Sequence, residues 1–184
     1  MAAKSWVKTH RKQIITHALI VGGFLFFLLF LSGPLFARFE PRTTSTLQRI
    51  SLPAETDNIF CHFDRVDSDE DYATIIGIAY IAGLNTDNIQ TFVCLNSSSD
   101  SYAFDTFTIP RPDVTEYFAD SGLNLDLSGF KAVIPLEIIK DGTYGVGILI
   151  KKGLIRAMVY TDMVVIKSEH GAEFQSYTAS LEGT

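Results

Sequence analysis

The sequence predicts a mainly β protein: a single N-terminal transmembrane helix followed by an antiparallel, immunoglobulin-like β-sandwich. Two observations carry this prediction. Residues 14–37 form an apolar run without any Asp, Glu, Lys or Arg. The rest of the chain holds six or seven short runs that alternate apolar with polar residues or are rich in β-branched ones, with turn residues between them. Such spacing, with no long amphipathic helix, is typical of antiparallel sandwiches.

The apolar run is long enough to cross a bilayer. A hydrocarbon core of about 30 Å needs about 20 helical residues, which the run 14–37 provides. The alternative is a cleaved signal peptide, whose apolar region usually has ~7–15 residues and ends at small side chains. Here the bulky Leu35 stands two residues before Ala37. We therefore expect an uncleaved anchor.

Basic residues on either side of the helix predict its orientation. Four Lys and Arg side chains lie within residues 1–13, and Arg38 and Arg42 follow the helix. The positive-inside rule therefore places residues 1–13 in the cytoplasm. The domain after the helix is then extracytoplasmic, in the periplasm or at the cell surface.

One part of the helix carries candidate residues for packing against a second helix. Ala18, Gly22 and Gly23 are small enough for another helix to approach closely. His17 lies beside them. It is either a functional group inside the membrane or lies near enough to the interface to reach the headgroups.

The sequence after the helix divides into two parts. Residues 38–57 are polar and are interpreted as a linker or as a first strand laid along the domain, and residues 58–184 as the sandwich. The one helix candidate, Asp113–Ala119, is expected to bridge the two sheets. Hairpin-type turns are expected at Asp141-Gly142 and Lys152-Gly153. The predicted strands are Ile59–Val66, Tyr72–Ala82, Ile89–Leu95, Tyr102–Ile109, Phe130–Ile139, Tyr144–Ile150 and Ile155–Ile166.

Charge excludes nucleic acid as a partner. From Ile50 onward the chain has eight basic and twenty acidic residues, a net charge of −12. Like charge repels such a domain from phosphate backbones. The expected partners are the lipid bilayer, other membrane proteins and, as a further possibility, a glycan.

The two cysteines are disulfide candidates. Cys61 lies in the first predicted strand and Cys94 in the third, and an extracytoplasmic domain permits oxidation. A bridge that closes this loop would stabilise the domain by about 3 kcal/mol. The alternative is a pair of buried free thiols that pack as small hydrophobic groups.

The residues indicate no catalytic or cofactor site. Asp67, Asp69 and Asp71 are weak candidates for calcium ligands, but the glycine and the distal glutamate of a calcium loop are missing. A solvated acidic turn is the simpler interpretation. His62 and His170 lack partners at zinc spacing. Neither a nucleophile motif nor a glycine-rich phosphate loop is present. We expect neither enzymatic activity nor a cofactor.

One series of motifs resembles a known module. The series runs from Arg111-Pro112-Asp113-Val114 through Phe118 and Ser128-Gly129-Phe130 to Gly142-Thr143-Tyr144 and Gly147. Before this series, Ile76–Tyr80 is similar to a strand motif with a Gly-Trp-Ala core. The stretch from Asn58 to Lys167 thus resembles a small extracytoplasmic β-sandwich module of bacterial surface-polysaccharide and cell-envelope membrane proteins. It departs from that pattern at Ile78, where Trp is common.

The motif residues also have a purely structural interpretation. Arg111 and Asp113 could pair across Pro112 and fix the chain after the fourth strand. Gly129 permits a tight entry into the strand that begins at Phe130. Gly142 supplies a positive φ before Tyr144.

Two functions are therefore expected. The first is an accessory or structural subunit of a membrane complex, whose outer sandwich braces or contacts partner proteins. The alternative is a membrane-anchored module that binds a glycan or the cell envelope. Its candidate contacts are the aromatic side chains Tyr72, Tyr80, Tyr102 and Tyr117. A calcium-stabilised adhesin is a third, weaker possibility.

Overall fold

The computed structural model describes residues 15–17, 19–27 and 43–176. The chain divides into two compact units, 1–42 and 43–184. The described residues of the first unit are helical. Within the described ranges, the search for a helix both long and apolar enough to cross a membrane finds none.

The candidate helix-packing residues lie in this first unit. His17, Gly22 and Gly23 are exposed helical residues, and Ala18 lies outside the described ranges. A Cβ atom added at either glycine would meet no heavy atom within 4 Å. The contact of a second helix at these residues stays a prediction.

Residues 43–176 form two antiparallel sheets. One has four strands in the order β1-β2-β6-β5, and the other has five in the order β4-β3-β7-β8-β9. One short α-helix, α1 (Pro112–Tyr117), and two 3-10 turns, Ala119–Ser121 and Leu136–Ile138, complete the described elements of this unit. The strands are β1 (Ile59–Ser68), β2 (Tyr72–Ile81), β3 (Ile89–Asn96), β4 (Ser101–Asp105), β5 (Phe107–Ile109), β6 (Gly129–Pro135), β7 (Gly142–Lys152), β8 (Ile155–Ser168) and β9 (Gly171–Ser176).

The core lies between the two sheets. One cluster of buried side chains joins Ile75 and Ile134 of the four-stranded sheet to Val93, Val146 and Ile148 of the five-stranded sheet. All five side chains are fully buried. Alternate residues of each strand supply this cluster, because successive side chains of a strand point to opposite faces. The expectation of a mainly β protein with two antiparallel sheets is confirmed.

The predicted strand Tyr102–Ile109 is wrong as a single element. Its first part is β4, in the five-stranded sheet, and its second part is β5, in the four-stranded sheet. The chain crosses between the sheets at Thr106, whose Oγ1 donates a hydrogen bond of 2.9 Å to the carbonyl of Thr91. Both parts are extended, so their residue pattern did not reveal the crossing.

The predicted hairpin at Asp141-Gly142 is also wrong, because β6 and β7 belong to different sheets. Gly142 does have the expected positive φ, at 155°. Tyr144 is buried, and its hydroxyl donates a hydrogen bond of 2.9 Å to the carbonyl of Lys140. This bond holds the connection between the sheets against the start of β7.

The second predicted hairpin is confirmed, with its turn one residue later than expected. Lys152 pairs with Ile155, so Gly153 and Leu154 are the two turn residues between β7 and β8. Gly153 has a φ of 58°. A glycine with positive φ is what a tight two-residue hairpin turn favours.

Two further elements differ from expectation. β9 was not predicted, since its sequence is largely polar and only Ala172 and Phe174 pack against the core. The helix α1 does not bridge the two sheets. It connects β5 to β6, which are neighbours in the four-stranded sheet.

Residues 45–56, within the segment predicted as a linker or a first strand, pack along the domain. Ser45 is buried and donates its backbone N–H to the carbonyl of Val133 at 2.7 Å. Leu47 forms a bridge to Phe104 of β4. Ile50 then packs on the outer face of the five-stranded sheet. This part of the chain lies along the domain, as the alternative of a first strand expected, but Leu47 forms only an isolated bridge and the first described strand begins at Ile59.

We predict that the domain loses stability at alkaline pH partly through Tyr144. Burial raises the pKa of Tyr144 to about 12, above the ordinary value of about 10. The protonated Tyr144 hydroxyl therefore stabilises the fold fully below about pH 10. This stabilisation is lost as the pH rises from about 10 to about 12, because the tyrosine ionises at a lower pH in the unfolded chain than in the folded one. Thermal melts at pH 8 to 12 should show this fall.

The control for this prediction is Tyr144→Phe. It removes the hydrogen bond to Lys140 and should cost about 1 kcal/mol near neutral pH. Its melting temperature should then fall less between pH 10 and 12 than that of the wild type. An identical fall in both proteins would contradict the assignment.

Candidate functional site

Four aromatic side chains meet on the outer face of the four-stranded sheet, and together we call them the aromatic face: Phe60, Tyr80, Tyr117 and Phe118. Phe60 of β1 and Tyr80 of β2 are directly opposite each other in register. Their rings stack with centroids 5.1 Å apart and planes at 22°. Outward positions on adjacent antiparallel strands bring such side chains into contact.

Helix α1 and the residue that follows it supply the other two rings. Phe118 meets both Phe60 and Tyr80 edge to face, with centroid distances of 5.8 Å in each case. Tyr117 lies 4.8 Å from Phe118 at an angle of 80°. Val114 of the helix is buried in the same cluster as Tyr80. The helix is therefore held to the sheet by apolar contacts.

Beside the aromatic face lies an ion-pair network centred on Arg111. The predicted Arg111–Asp113 pair is present: Nε lies 2.9 Å from Oδ1, and Nη2 lies 2.8 Å from Oδ2. The remaining nitrogen, Nη1, lies 2.5 Å from Oδ2 of Asp64 in β1. One guanidinium thus links the start of the helix to the strand that carries Phe60. This planar group with several donors suits such multiple contacts to carboxylates.

The pairing changes how readily these groups titrate. The hydrogen bonds that Arg111 donates to Asp113 and Asp64 raise the pKa of Arg111 above its ordinary value. In turn, the hydrogen bond from Arg111 lowers the pKa of Asp113. The network thus places one cation between two carboxylate side chains, Asp64 and Asp113, so Arg111 compensates the charge of one of them and a formal charge of −1 remains.

Gly129 makes this arrangement possible. A Cβ atom at position 129 would lie 2.4 Å from the carbonyl oxygen of Ile109 and 2.6 Å from Cγ of Arg111. No side chain fits in that space, since real Cβ contacts are longer. The absence of a side chain lets Arg111 lie against β6 and reach Asp64. Phe130, the next residue, points the other way into the core and is fully buried.

The aromatic face is partly open to solvent. Tyr117 is 82% exposed and Phe60 is 40% exposed, whereas Tyr80 is buried beneath them. His62, two residues after Phe60 in β1, is also exposed. Aromatic rings next to a few polar groups suit binding of an apolar or amphipathic surface. The arrangement provides contact area and hydrogen bonds.

Sequence reasoning identified only part of this site. It named Arg111, Asp113 and Phe118 in one motif series and Tyr80 and Tyr117 as aromatic candidates. It considered His62 only as a zinc ligand, and it assigned no role in such a site to Phe60 or Asp64. A usable signal was the alternation Phe60-His62-Asp64 in β1, which places all three on one face. The contribution of Phe118 depends on how α1 packs, which the sequence does not fix.

The other two aromatic candidates lie elsewhere. Tyr102 stacks on Phe104, with ring centroids 6.4 Å apart, and meets Tyr144 edge to face at 5.7 Å. Tyr72 begins β2 and lines a separate surface cleft with Glu70, Asp71 and Leu136 among others. Only Tyr80 and Tyr117 of the four candidates come together.

The predicted disulfide between Cys61 and Cys94 is wrong, because both residues are free thiols. They lie in different sheets, β1 and β3. Cys61 packs toward the core between the sheets. Cys94 faces the other way, beneath Ile50 and Leu52 on the outer face of the five-stranded sheet. The second alternative, two thiols that pack as small hydrophobic groups, describes them.

The two thiols are poorly suited to nucleophilic chemistry. Burial raises the pKa of each cysteine to about 12. A thiol reacts as its thiolate, which is scarce at neutral pH when the pKa is that high.

Two of the three weak calcium candidates, Asp67 and Asp69, make local contacts through their carboxylates. Asp67 forms an ion pair with Arg65. Oδ1 of Asp69 accepts hydrogen bonds from the backbone N–H groups of Asp71 and Tyr72, at 2.9 and 2.7 Å. These bonds shape the turn between β1 and β2. Among the described residues, no three His, Cys, Asp or Glu side chains are grouped so that they could hold a metal ion.

Comparison with known proteins adds no relative. No protein-family model, no curated protein and no solved structure matches the chain. The resemblance to a bacterial cell-envelope module therefore stays a prediction. The function has to be argued from the chain itself.

We predict that both cysteines stay reduced in the native protein. The test is labelling with iodoacetamide at pH 8 without reductant. The folded chain should react slowly, because burial suppresses the thiolate form of both cysteines. The chain in denaturant should be labelled at both thiols. Intact mass measurement would count the adducts. A denatured chain that takes up label only after reduction would instead reveal a disulfide.

We also predict that Gly129→Ala destabilises the domain by about 2 kcal/mol, as expected when a buried site is overfilled. The added methyl group would clash with the Ile109 carbonyl. Gly145→Ala is the matched control, because its nearest neighbour would be the carbonyl oxygen of Asn96 at 3.8 Å. Urea unfolding would compare the two variants, and equal stabilities would refute the role of close approach at Gly129.

Proposed function

We propose that the chain is a non-catalytic, single-pass membrane protein, an accessory subunit whose outer domain contacts a partner protein through the aromatic face. The main supporting observation is the exposure of Tyr117 and Phe60 beside two carboxylates that Arg111 binds. Tyr, Phe and Arg are the residue types enriched in protein interfaces and in their strongest contacts.

The proposed anchor rests on the apolar run 14–37. It has the length that a bilayer demands and carries no Asp, Glu, Lys or Arg. The excess of basic residues before it favours a cytoplasmic N-terminus and an extracytoplasmic domain. The proposed sites of helix contact remain His17, Ala18, Gly22 and Gly23.

The proposed domain is an immunoglobulin-like sandwich. The strand order supports this: β1-β2-β6-β5 corresponds to strands A-B-E-D of that fold, and β3-β7-β8 corresponds to C-F-G. The bond from the Tyr144 hydroxyl to the carbonyl of Lys140 is similar to the tyrosine corner at the start of strand F. Such sandwiches commonly serve adhesion and recognition.

Binding of a glycan is the second candidate. The observation that favours it is Tyr117, an aromatic side chain that is 82% exposed close to carboxylates and a guanidinium. A sugar ring can pack on an aromatic face while nearby polar groups bind its hydroxyls. The two candidates differ in their need for a protein partner.

The test is co-purification of the full chain from detergent-solubilised membranes of its own cells. Proteins that elute with the wild type should be lost from Tyr117→Ala and from Phe60→Ala. Tyr72→Ala is the matched control. The exposed fraction of Tyr72 is similar to that of Phe60, but Tyr72 lies outside the aromatic face. It should retain the same partners.

The same variants separate the two functions. If the wild type elutes alone as a monomer, the accessory role is wrong. A glycan array probed with the full chain in detergent then tests the alternative. Binding that Tyr117→Ala abolishes and Tyr72→Ala preserves would establish glycan recognition, and an array without signal would reject it.

A further inference from the structure

The turn between β7 and β8 carries apolar and basic side chains that belong neither to the core nor to the aromatic face. Residues 151–156, which we call the hairpin tip, read Lys-Lys-Gly-Leu-Ile-Arg. Leu154 is fully exposed, at 102% of its reference area, and Ile155 is 45% exposed. A leucine at the apex of a tight turn packs on nothing in its own domain. Folding therefore gains nothing from its apolar side chain.

The basic residues of the hairpin tip stand out in an acidic domain. The segment has three cationic side chains and no acidic one, whereas the chain from Ile50 onward carries a net charge of −12. Lys151 lies over the ring of Phe92, and Arg156 donates to the carbonyl of Ser51. Lys152 pairs with Asp87. Asp87 thus compensates the charge of Lys152, while Lys151 and Arg156 have no acidic partner among these contacts.

The opposite end of the sandwich is acidic. Residues 82–88 connect the end of β2 to the start of β3, so Ile81, Ile89 and the hairpin tip share one end. The turn between β1 and β2 lies at the other end. A cleft of about 330 Å³ at that end is lined by the carboxylates Glu70, Asp71, Glu137 and Glu169 together with Lys167. An anionic surface would repel the acidic end and attract the hairpin tip.

Only residues 38–42 separate the proposed membrane helix from the first described residue of the domain, Thr43. Five residues span at most about 17 Å when fully extended. A domain on so short a tether stays at the membrane surface. A surface loop with apolar residues flanked by Lys and Arg has the chemistry that binds the interface of an anionic bilayer.

From these observations we propose that the hairpin tip docks on the bilayer that holds the N-terminal helix. Leu154 and Ile155 enter the headgroup region, while Lys151 and Arg156 face anionic lipid headgroups. The inference rests on the proposed membrane anchor. Docking fixes the domain with its acidic end pointing away from the membrane, and so determines how the aromatic face is presented to a partner.

The experiment uses the full chain reconstituted in vesicles that contain brominated phosphatidylcholine and phosphatidylglycerol. Trp6 is the single tryptophan, so Trp6→Phe gives a silent background into which Leu154→Trp is placed. Ile138→Trp is the matched control, because Ile138 is 39% exposed and adjoins Glu137 of the acidic cleft. Thermal melts would show that both variants fold as the parent does.

The expected result is that brominated lipid quenches the tryptophan at 154 about twofold, as burial in the headgroup and acyl boundary requires. The tryptophan at 138 should be quenched only weakly. Vesicles without phosphatidylglycerol should give less quenching at position 154. Equal quenching at 154 and 138 would overturn the proposal, and equal quenching with and without anionic lipid would overturn the role of the basic residues.

Flotation after alkaline carbonate extraction separates this inference from the proposed anchor. If the parent chain does not float with the vesicles, the anchor itself is wrong. If it floats and the tryptophan at 154 is not quenched, the anchor stands and the docking of the hairpin tip is wrong. A chain that floats and shows selective quenching at 154 supports both.

Discussion

The aromatic face depends on the close passage of the chain over Gly129. Because position 129 has no side chain, Ile109 and Arg111 lie against β6 at a distance that a Cβ atom would not tolerate. Arg111 then reaches Asp64 of β1 and Asp113 at the start of α1. With the helix fixed in this way, Phe118 lies against Phe60 and Tyr80. The missing side chain at position 129 thus helps to place Tyr117 and Phe118 against Phe60 and Tyr80, whose positions follow from the pairing of β1 with β2.

The energetics of the face are divided between apolar contacts and ion pairs. Val114, Leu125 and Tyr80 are buried beneath the helix, and burial of such side chains is worth roughly 1.5–3 kcal/mol each. The carboxylate of Asp113 is 61% exposed, and exposed ion pairs contribute little to stability. Packing therefore holds the helix on the sheet, while the Arg111 network ties the start of the helix to β1.

The two ends of the sandwich differ in the chemistry that they present. One end bears the hairpin tip, with exposed Leu154 among basic side chains, and the other bears the acidic cleft around Glu70 and Glu169. The aromatic face lies on a side of the domain, on the outer surface of the four-stranded sheet. The hairpin tip, the acidic cleft and the aromatic face are thus three surfaces of the domain with different chemistry.

Alternation of side chains determined much of the fold from the sequence alone. It predicted a mainly β domain, most of the strands and the position of the short helix after Pro112, because a buried sheet face requires apolar residues at every second position. Local chemistry also determined the Arg111–Asp113 pair, the positive φ of Gly142 and the hairpin near Gly153. These features depend on residues that are close in the sequence.

Only the tertiary structure decided which strands share a sheet. The division of residues 102–109 between two sheets, the crossing at Asp141-Gly142 and the separation of Cys61 from Cys94 all follow from pairings between distant residues. A strand has the same two-residue period in either sheet, so periodicity carries no information about its neighbours. For the same reason the sequence named Tyr80 and Tyr117 as candidates, and only packing placed them with Phe60 and Phe118.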